Sequence, residues 1–175
     1  MSIVDLFQEK TVFSFEVFPP RRNSPIETIY DTLDELRDLK PDFISVTYGA
    51  GGGKNNQSTI PIAEHIKKVC HVPSVVHFPC INLTKQDVLE KIEELKTAGI
   101  KNILALRGDI PEGEENRGDF RYASDLIAFL KEHGNFHISA ACYPEGHIES
   151  ADRVEDIRYL KNKVDAGAEH LISQL

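Results

Sequence analysis

The chain has 175 residues, enough for one domain with a substantial core, and its 41% hydrophobic and 27% charged content is ordinary for a globular protein. Twenty-eight acidic against 20 basic residues leave a formal charge of −8; with no basic stripe, nucleic acid is excluded as a general partner, while a small anion held by local cations is not. No apolar run approaches the roughly 20 residues of a membrane span, and residues 1–10 lack the apolar core of a signal peptide.

Three cysteines (Cys70, Cys80, Cys142) form an odd set without metal-ligand spacing. They read as free thiols in a reducing cytoplasm, with a catalytic thiol as the alternative. No metal is expected, and no contact with a membrane.

Six short apolar segments then follow in order, at residues 12–18, 43–48, 75–80, 103–109, 137–143 and 171–175. Their starts recur about every 30 residues, the size of a strand-plus-helix unit. Between them lie five helical patterns. The first opens with Ser24-Pro25-Ile26-Glu27, a capping box with proline at the first helical position. The second runs over residues 58–70. The third starts at Thr84 and stops at Gly99. The fourth covers residues 123–133 and stops at Gly134; the fifth covers residues 151–166, capped by Ser150, with Val154, Ile157, Leu160 and Val164 as its apolar face.

Strict alternation predicts a parallel sheet with right-handed crossovers. In a strand, residues i and i+2 share a face. One face collects Phe13, Phe15, Val17, Ile44, Val46, Val76, Phe78, Leu104, Leu106, Ile138, Ala140 and Cys142, and suits packing against helices. The opposite face ends in Glu16, Thr47, His77, Arg107 with Asp109, Tyr143 and Gln174. A central strand of a doubly wound sheet is apolar on both faces, so the polar face favours a β/α barrel with its chemistry at the strand carboxyl ends. A closed barrel has eight strands and typically about 250 residues. The expectation is therefore an incomplete (βα)8 TIM-type barrel, one α/β domain over residues 1–175 with about six strands and five helices, the amino-terminal part of a catalytic domain. Its two open edges would favour a homo-oligomer.

Each candidate residue has a structural alternative. Glu16, two residues before Pro-Pro, suits a general acid whose pKa is raised by desolvation among Phe15 and Phe18, or a structural partner for a cation such as Arg107. Thr47-Tyr48-Gly49-Ala50 opens a glycine-rich loop that a planar or phosphorylated ligand could approach, or that is simply flexible. His77 is a catalyst or a satisfied core residue. Arg107-Gly108-Asp109 offers a cation for an anionic group and an anion for a polarised ring, or a plain ion pair. Tyr143 and His147 could stack on or bond to a nucleotide. Asp156, Tyr159 and Lys163 share one helix face, which is functional or merely solvated.

The segments SFEVFPPR, FISVTYGAGG, ILALRGDIP, YASDLI, SAACYPEGH, LKNKVDAGA and ISQL run in order from residue 14 to 174. Together the chain resembles the catalytic domain of methylenetetrahydrofolate reductase, a flavin-dependent family of one-carbon metabolism. The resemblance implies a barrel holding FAD at the strand carboxyl ends, with NAD(P)H as co-substrate and ping-pong hydride transfer through the flavin to 5,10-methylenetetrahydrofolate, yielding 5-methyltetrahydrofolate. Glu16 matches the acid that protonates the folate's bridging nitrogen, and Asp109 the carboxylate beside the flavin and folate. Gln174 matches a residue contacting folate and nicotinamide in turn. Thr47, Tyr48, Ala50, His77, Arg107, Gly108, Tyr122, Ala123, Tyr143, His147, Asp156, Tyr159 and Lys163 fall at flavin-contacting positions. Further strands and folate contacts follow ISQL in the family. A molecule ending at Leu175 is expected to retain FAD weakly and turn over little, or to be a non-catalytic fragment that binds nucleotide weakly or self-associates.

Overall fold

The computed structural model describes residues 2–20, 25–48, 58–110, 113, 115–147 and 149–173. In chain order the elements are α1 (Ile3–Glu9), β1 (Ser14–Val17), α2 (Glu27–Asp38), β2 (Phe43–Val46), α3 (Thr59–Lys68), β3 (Ser74–Pro79), α4 (Lys85–Ala98), β4 (Asn102–Leu106), α5 (Ala123–His133), β5 (His137–Cys142), α6 (Arg153–Asp165) and β6 (His170–Ser173). The six strands form one sheet in the order β1-β2-β3-β4-β5-β6, every pair parallel. The result is the open half of a β/α barrel, as expected.

The helix count differs from expectation: among the described residues there are six. The unforeseen α1 is seven residues long, too short to show a helical period. Ser2 caps it by accepting a hydrogen bond from the Val4 N–H at 3.1 Å. Several termini were legible. Thr84 and Asp87 form a reciprocal capping box at the start of α4, and Gly99 ends that helix in the left-handed region with φ 70°. The Ser24 cap lies outside the described residues, and α2 begins at Glu27. At α6 the cap is Asp152, not Ser150, and it accepts from the Glu155 N–H at 2.8 Å.

The register assigns the two faces of the sheet. Phe15, Val17, Ile44, Val46, Val76, Phe78, Ile103, Ala105, Ile138 and Ala140 face the helices and form the main core with Leu33, Ile62, Ile66, Val88, Ile92, Leu95, Leu126 and Leu130. The lumen face carries Glu16, Ser45, Thr47 and His77. It also carries Leu104, which pairs opposite His77, and Leu106. The expectation that Leu104 and Leu106 pack on helices is thus corrected by one residue. The run Ile103-Leu104-Ala105-Leu106 is apolar on both faces, so alternation could not set its phase. Phe13, also expected against helices, is half exposed.

The amino-terminal half of the lumen is apolar because α1 plugs it. Ile3 and Leu6 pack with Phe43, Val75 and Leu104, flanked by Val12, Leu106 and Ile172. The Ile3 N–H donates to Asn102 Oδ1 at 3.2 Å, and Asn102 Nδ2 donates to the Ser74 carbonyl at 3.3 Å, fastening the plug to the starts of β4 and β3. Polar groups are left at the opposite, carboxyl end. Among the described residues no helix is long and apolar enough to cross a membrane.

Candidate active site

Two clusters occupy the carboxyl ends of the strands. The first spans β1 to β3. Glu16 pairs opposite Ser45 in the sheet, and His77 lies two residues beyond Val75, the residue opposite Ser45. His77 Nε2 lies 3.2 Å from Glu16 Oε2, and the Ser45 hydroxyl makes a long hydrogen bond of 3.4 Å to the same oxygen. The pair is close enough for an ionic contact, yet its angle makes no hydrogen bond: His77 Nε2 is buried without a hydrogen-bond partner among the described residues. Burial pushes the His77 pKa down and the Glu16 charge only partly opposes it. The imidazole is therefore neutral near pH 7, and the contact joins a carboxylate to a neutral ring. Thr47, just past β2, presents a second buried and unpartnered atom, Oγ1. Its carbonyl is used, accepting from the Thr59 hydroxyl at 3.1 Å at the start of α3.

One expectation for Glu16 fails here. Its side chain is 49% exposed and Phe18 is 67% exposed, so no apolar wall desolvates the carboxylate in this state. The desolvated member of the pair is His77. Glu16 also does not pair with Arg107.

The second cluster follows β4 and β5. Arg107 is one residue past the end of β4. Gly108 turns the chain there with φ +87°, and a Cβ would lie 2.7 Å from Ile81 Cγ2, so this strand end requires glycine. The Ile81 N–H donates to the Arg107 carbonyl at 2.8 Å, tying the ends of β3 and β4 together. The Arg107 guanidinium does not pair with neighbouring Asp109. It grips Glu149 bidentately at 2.6 and 2.7 Å, which raises the Arg107 pKa and lowers that of Glu149. Asp109 is exposed, and its charge helps burial raise the Tyr143 pKa.

The face of α6 carrying Asp156, Tyr159 and Lys163 turns inward to this cluster rather than to solvent. Lys163 donates to the Ala141 carbonyl of β5 at 2.8 Å, and burial lowers its pKa against the opposing pull of Asp156. Asp156 accepts from the Ser150 hydroxyl at 3.0 Å. Tyr159 stacks on Tyr122 with ring centroids 5.0 Å apart, which joins α6 to the start of α5. Ala123 is buried at that helix start, where Asp125 accepts from the Tyr122 N–H at 2.8 Å. Tyr143 and His147 meet edge to face at 4.9 Å. Tyr48 is half-buried, which raises its pKa. Ala50 and Gln174 lie outside the described residues. Glu149 and Ser150 were not anticipated: neither stands at a strand end, and only the acid following His147 in sequence hinted at a partner for Arg107.

The alternative catalytic thiol is disfavoured at Cys80, whose pKa burial pushes up to about 12. A recess of about 190 Å³ near Lys67, His71 and Lys101 lies at the amino ends of β3 and β4, remote from these groups.

A parallel β/α half-barrel with a carboxylate, an imidazole and a guanidinium at its strand carboxyl ends has the layout of a β/α-barrel enzyme's catalytic face. Residues 2–175 match the methylenetetrahydrofolate reductase family, and the chain belongs to it. It is 42% identical over 161 residues to the 5,10-methylenetetrahydrofolate reductase of Pectobacterium carotovorum subsp. carotovorum, covering 92% of this chain and 53% of that protein. It is 36% identical over 183 residues to methylenetetrahydrofolate reductase (NADH) 1 of Arabidopsis thaliana, covering 96% of this chain and 31% of that protein. The chain thus spans about half the length of the bacterial relative. Among solved structures, phosphoenolpyruvate phosphomutase of Streptomyces platensis subsp. rosaceus superposes with a TM-score of 0.61 at 15% identity, over 99% of this chain and 64% of that one; this likeness concerns the fold.

Proposed function

We propose that this chain carries the flavin face of a methylenetetrahydrofolate reductase, which reduces 5,10-methylenetetrahydrofolate to 5-methyltetrahydrofolate with one hydride from NAD(P)H and one proton. The observation that carries the reading is the Glu16 carboxylate set 3.2 Å from a buried, neutral His77 at the strand carboxyl ends. When bound, FAD would take the hydride from the nicotinamide and hand it to the folate.

The residues fit such a group. Thr47 Oγ1 and His77 Nε2 are buried polar atoms lacking hydrogen-bond partners among the described residues, as expected of atoms awaiting a ligand. Arg107 already holds a carboxylate in the fork geometry that would take a phosphate. The Glu149 side chain is 54% exposed, so the pair contributes no more than about 1 kcal/mol and is readily exchanged. Lys163, Tyr122, Tyr143, His147, Asp156 and Tyr159 surround the same end, with Tyr48, Gly108 and Ala123 beside them; Ala50 is proposed as a further cofactor contact.

Glu16 protonates the bridging nitrogen of the folate. A flat ligand lying over the Glu16–His77 pair would cover the carboxylate and exclude water from the proton transfer. Asp109 supplies negative charge that favours the cationic folate, and Gln174 contacts folate and nicotinamide in turn. The remaining proposals are a cytoplasmic, homo-oligomeric protein whose partners are these small molecules, with neither nucleic acid nor membrane.

The test supplies the chain with FAD and mixes it anaerobically with NADH, the reductant in the plant relative's name. Bleaching of the flavin absorbance, followed by recovery on adding 5,10-methylenetetrahydrofolate, is expected. Glu16→Gln should bleach normally and lose folate reduction by about 100-fold or more. Failure to bind FAD would overturn the reading. Loss of both half-reactions in Glu16→Gln would make Glu16 structural.

A further inference from the structure

On the helix side of the sheet, away from the catalytic end, α2 meets α3 through an unusual set of groups. The Asp34 carboxylate, a ring nitrogen of His65 and the Cys70 sulfur all lie within 4.8 Å of one another. His65 Nε2 is buried and has no hydrogen-bond partner among the described residues. Such an atom calls for an explanation, and an absent ion is one. The surroundings hold these groups in place. The His65 ring stacks on Tyr30 at 4.1 Å with planes 14° apart, and Tyr30 lies one turn before Asp34 on α2. The His65 carbonyl accepts from the Cys70 N–H at 3.2 Å, linking those two residues directly. Cys70 is buried, whereas Asp34 is half exposed and leaves a path from solvent.

We propose that Asp34, His65 and Cys70 form a binding site for a divalent transition metal of the zinc class, tying α2 to α3. Thiolate and imidazole together select a borderline-soft ion over magnesium or calcium. Three protein ligands leave one position for water. Tetrahedral zinc places its ligand atoms roughly 3.5 Å apart, so the widest separation must close by about 1 Å, within reach of side-chain rotation. The competing cation is Arg37, whose Nη1 lies 3.4 Å from Asp34 Oδ1 in a solvent-exposed pair that a divalent ion can displace. Leu33 is the one fully buried residue on α2, with Ile29, Tyr30 and Leu36 partly buried against the same core, and a metal tie would add to that packing.

The probe is cobalt(II), titrated into the metal-stripped full chain. One equivalent should give a thiolate-to-cobalt charge-transfer band and strong visible bands of four-coordinate cobalt, and zinc should abolish both. Cys70→Ser should remove the charge-transfer band, while Cys142→Ser should keep it. Asp34→Asn alters an exposed group and should fold, yet bind cobalt at least 10-fold more weakly. Absence of the charge-transfer band in the unaltered chain would overturn the site. So would its persistence in Cys70→Ser, or an unchanged cobalt affinity in Asp34→Asn.

Discussion

At the scale of single residues, the Glu16–His77 pair carries the proposed chemistry and also sets a pH dependence. Burial holds the folded His77 below its ordinary value, and burial alone does the same for His170. In the unfolded chain both imidazoles titrate near about 6.5. Below that value the unfolded state takes up protons that the folded state resists, so stability is complete above about pH 6.5 and falls as the pH drops further. The carboxylates with lowered pKa, Asp42, Glu149 and Glu169, lose their contribution only at more acid pH, near or below about 4.5. Urea midpoints should therefore decline between about pH 7 and about pH 5, and His77→Gln should flatten part of that slope. An identical slope in the variant would return His77 to the status of an ordinary core residue. Glu16 was legible in sequence because β1 alternates apolar and polar residues, and His77 because it stands between Val76 and Phe78, which share the helix-facing side. Glu149 was not, because a partner brought in by a loop follows no period. The desolvation expected at Glu16 was also misjudged: adjacency to Phe15 and Phe18 in sequence says nothing about whether those rings cover it.

At the scale of elements, sequence pattern succeeded where caps and stop glycines carry the signal and failed where length or alternation is missing. The α4 boundaries follow from Thr84, Asp87 and Gly99. The β4 phase slipped because four successive apolar residues fit either face. The short α1 was invisible by period, yet it closes the amino end of the lumen and so leaves polar side chains to the catalytic end. Ile3 is 1% exposed and anchors this plug. Ile3→Ala should cost about 2–4 kcal/mol, through lost burial and a cavity against Val75 and Leu104. Thermal or urea unfolding checks this. A cost below about 0.5 kcal/mol, the range of ordinary surface changes, would mean that α1 merely rests on the sheet.

At the scale of the whole molecule, the half-barrel is unevenly covered. Among the described residues the sheet ends at β1 and β6, and a bare strand edge is a template for further pairing. The α6 helix behaves differently from α3, α4 and α5. It has no fully buried residue, and the apolar stripe that was expected to pack inward, Val154, Ile157 and Val164, is exposed at 59%, 64% and 47%. Its inward side is instead the polar face of Asp156, Tyr159 and Lys163, which serves the site. An apolar stripe exposed on α6 beside a strand edge is where the proposed homo-oligomer would form, and a charge placed in it tests that proposal. Ile157→Glu places a charge in the stripe without touching the core. Its effect on unfolding should stay within about 0.5 kcal/mol, while sedimentation velocity over a range of concentrations should show a clear shift toward monomer. An unchanged sedimentation profile would mean that the α6 stripe carries no association.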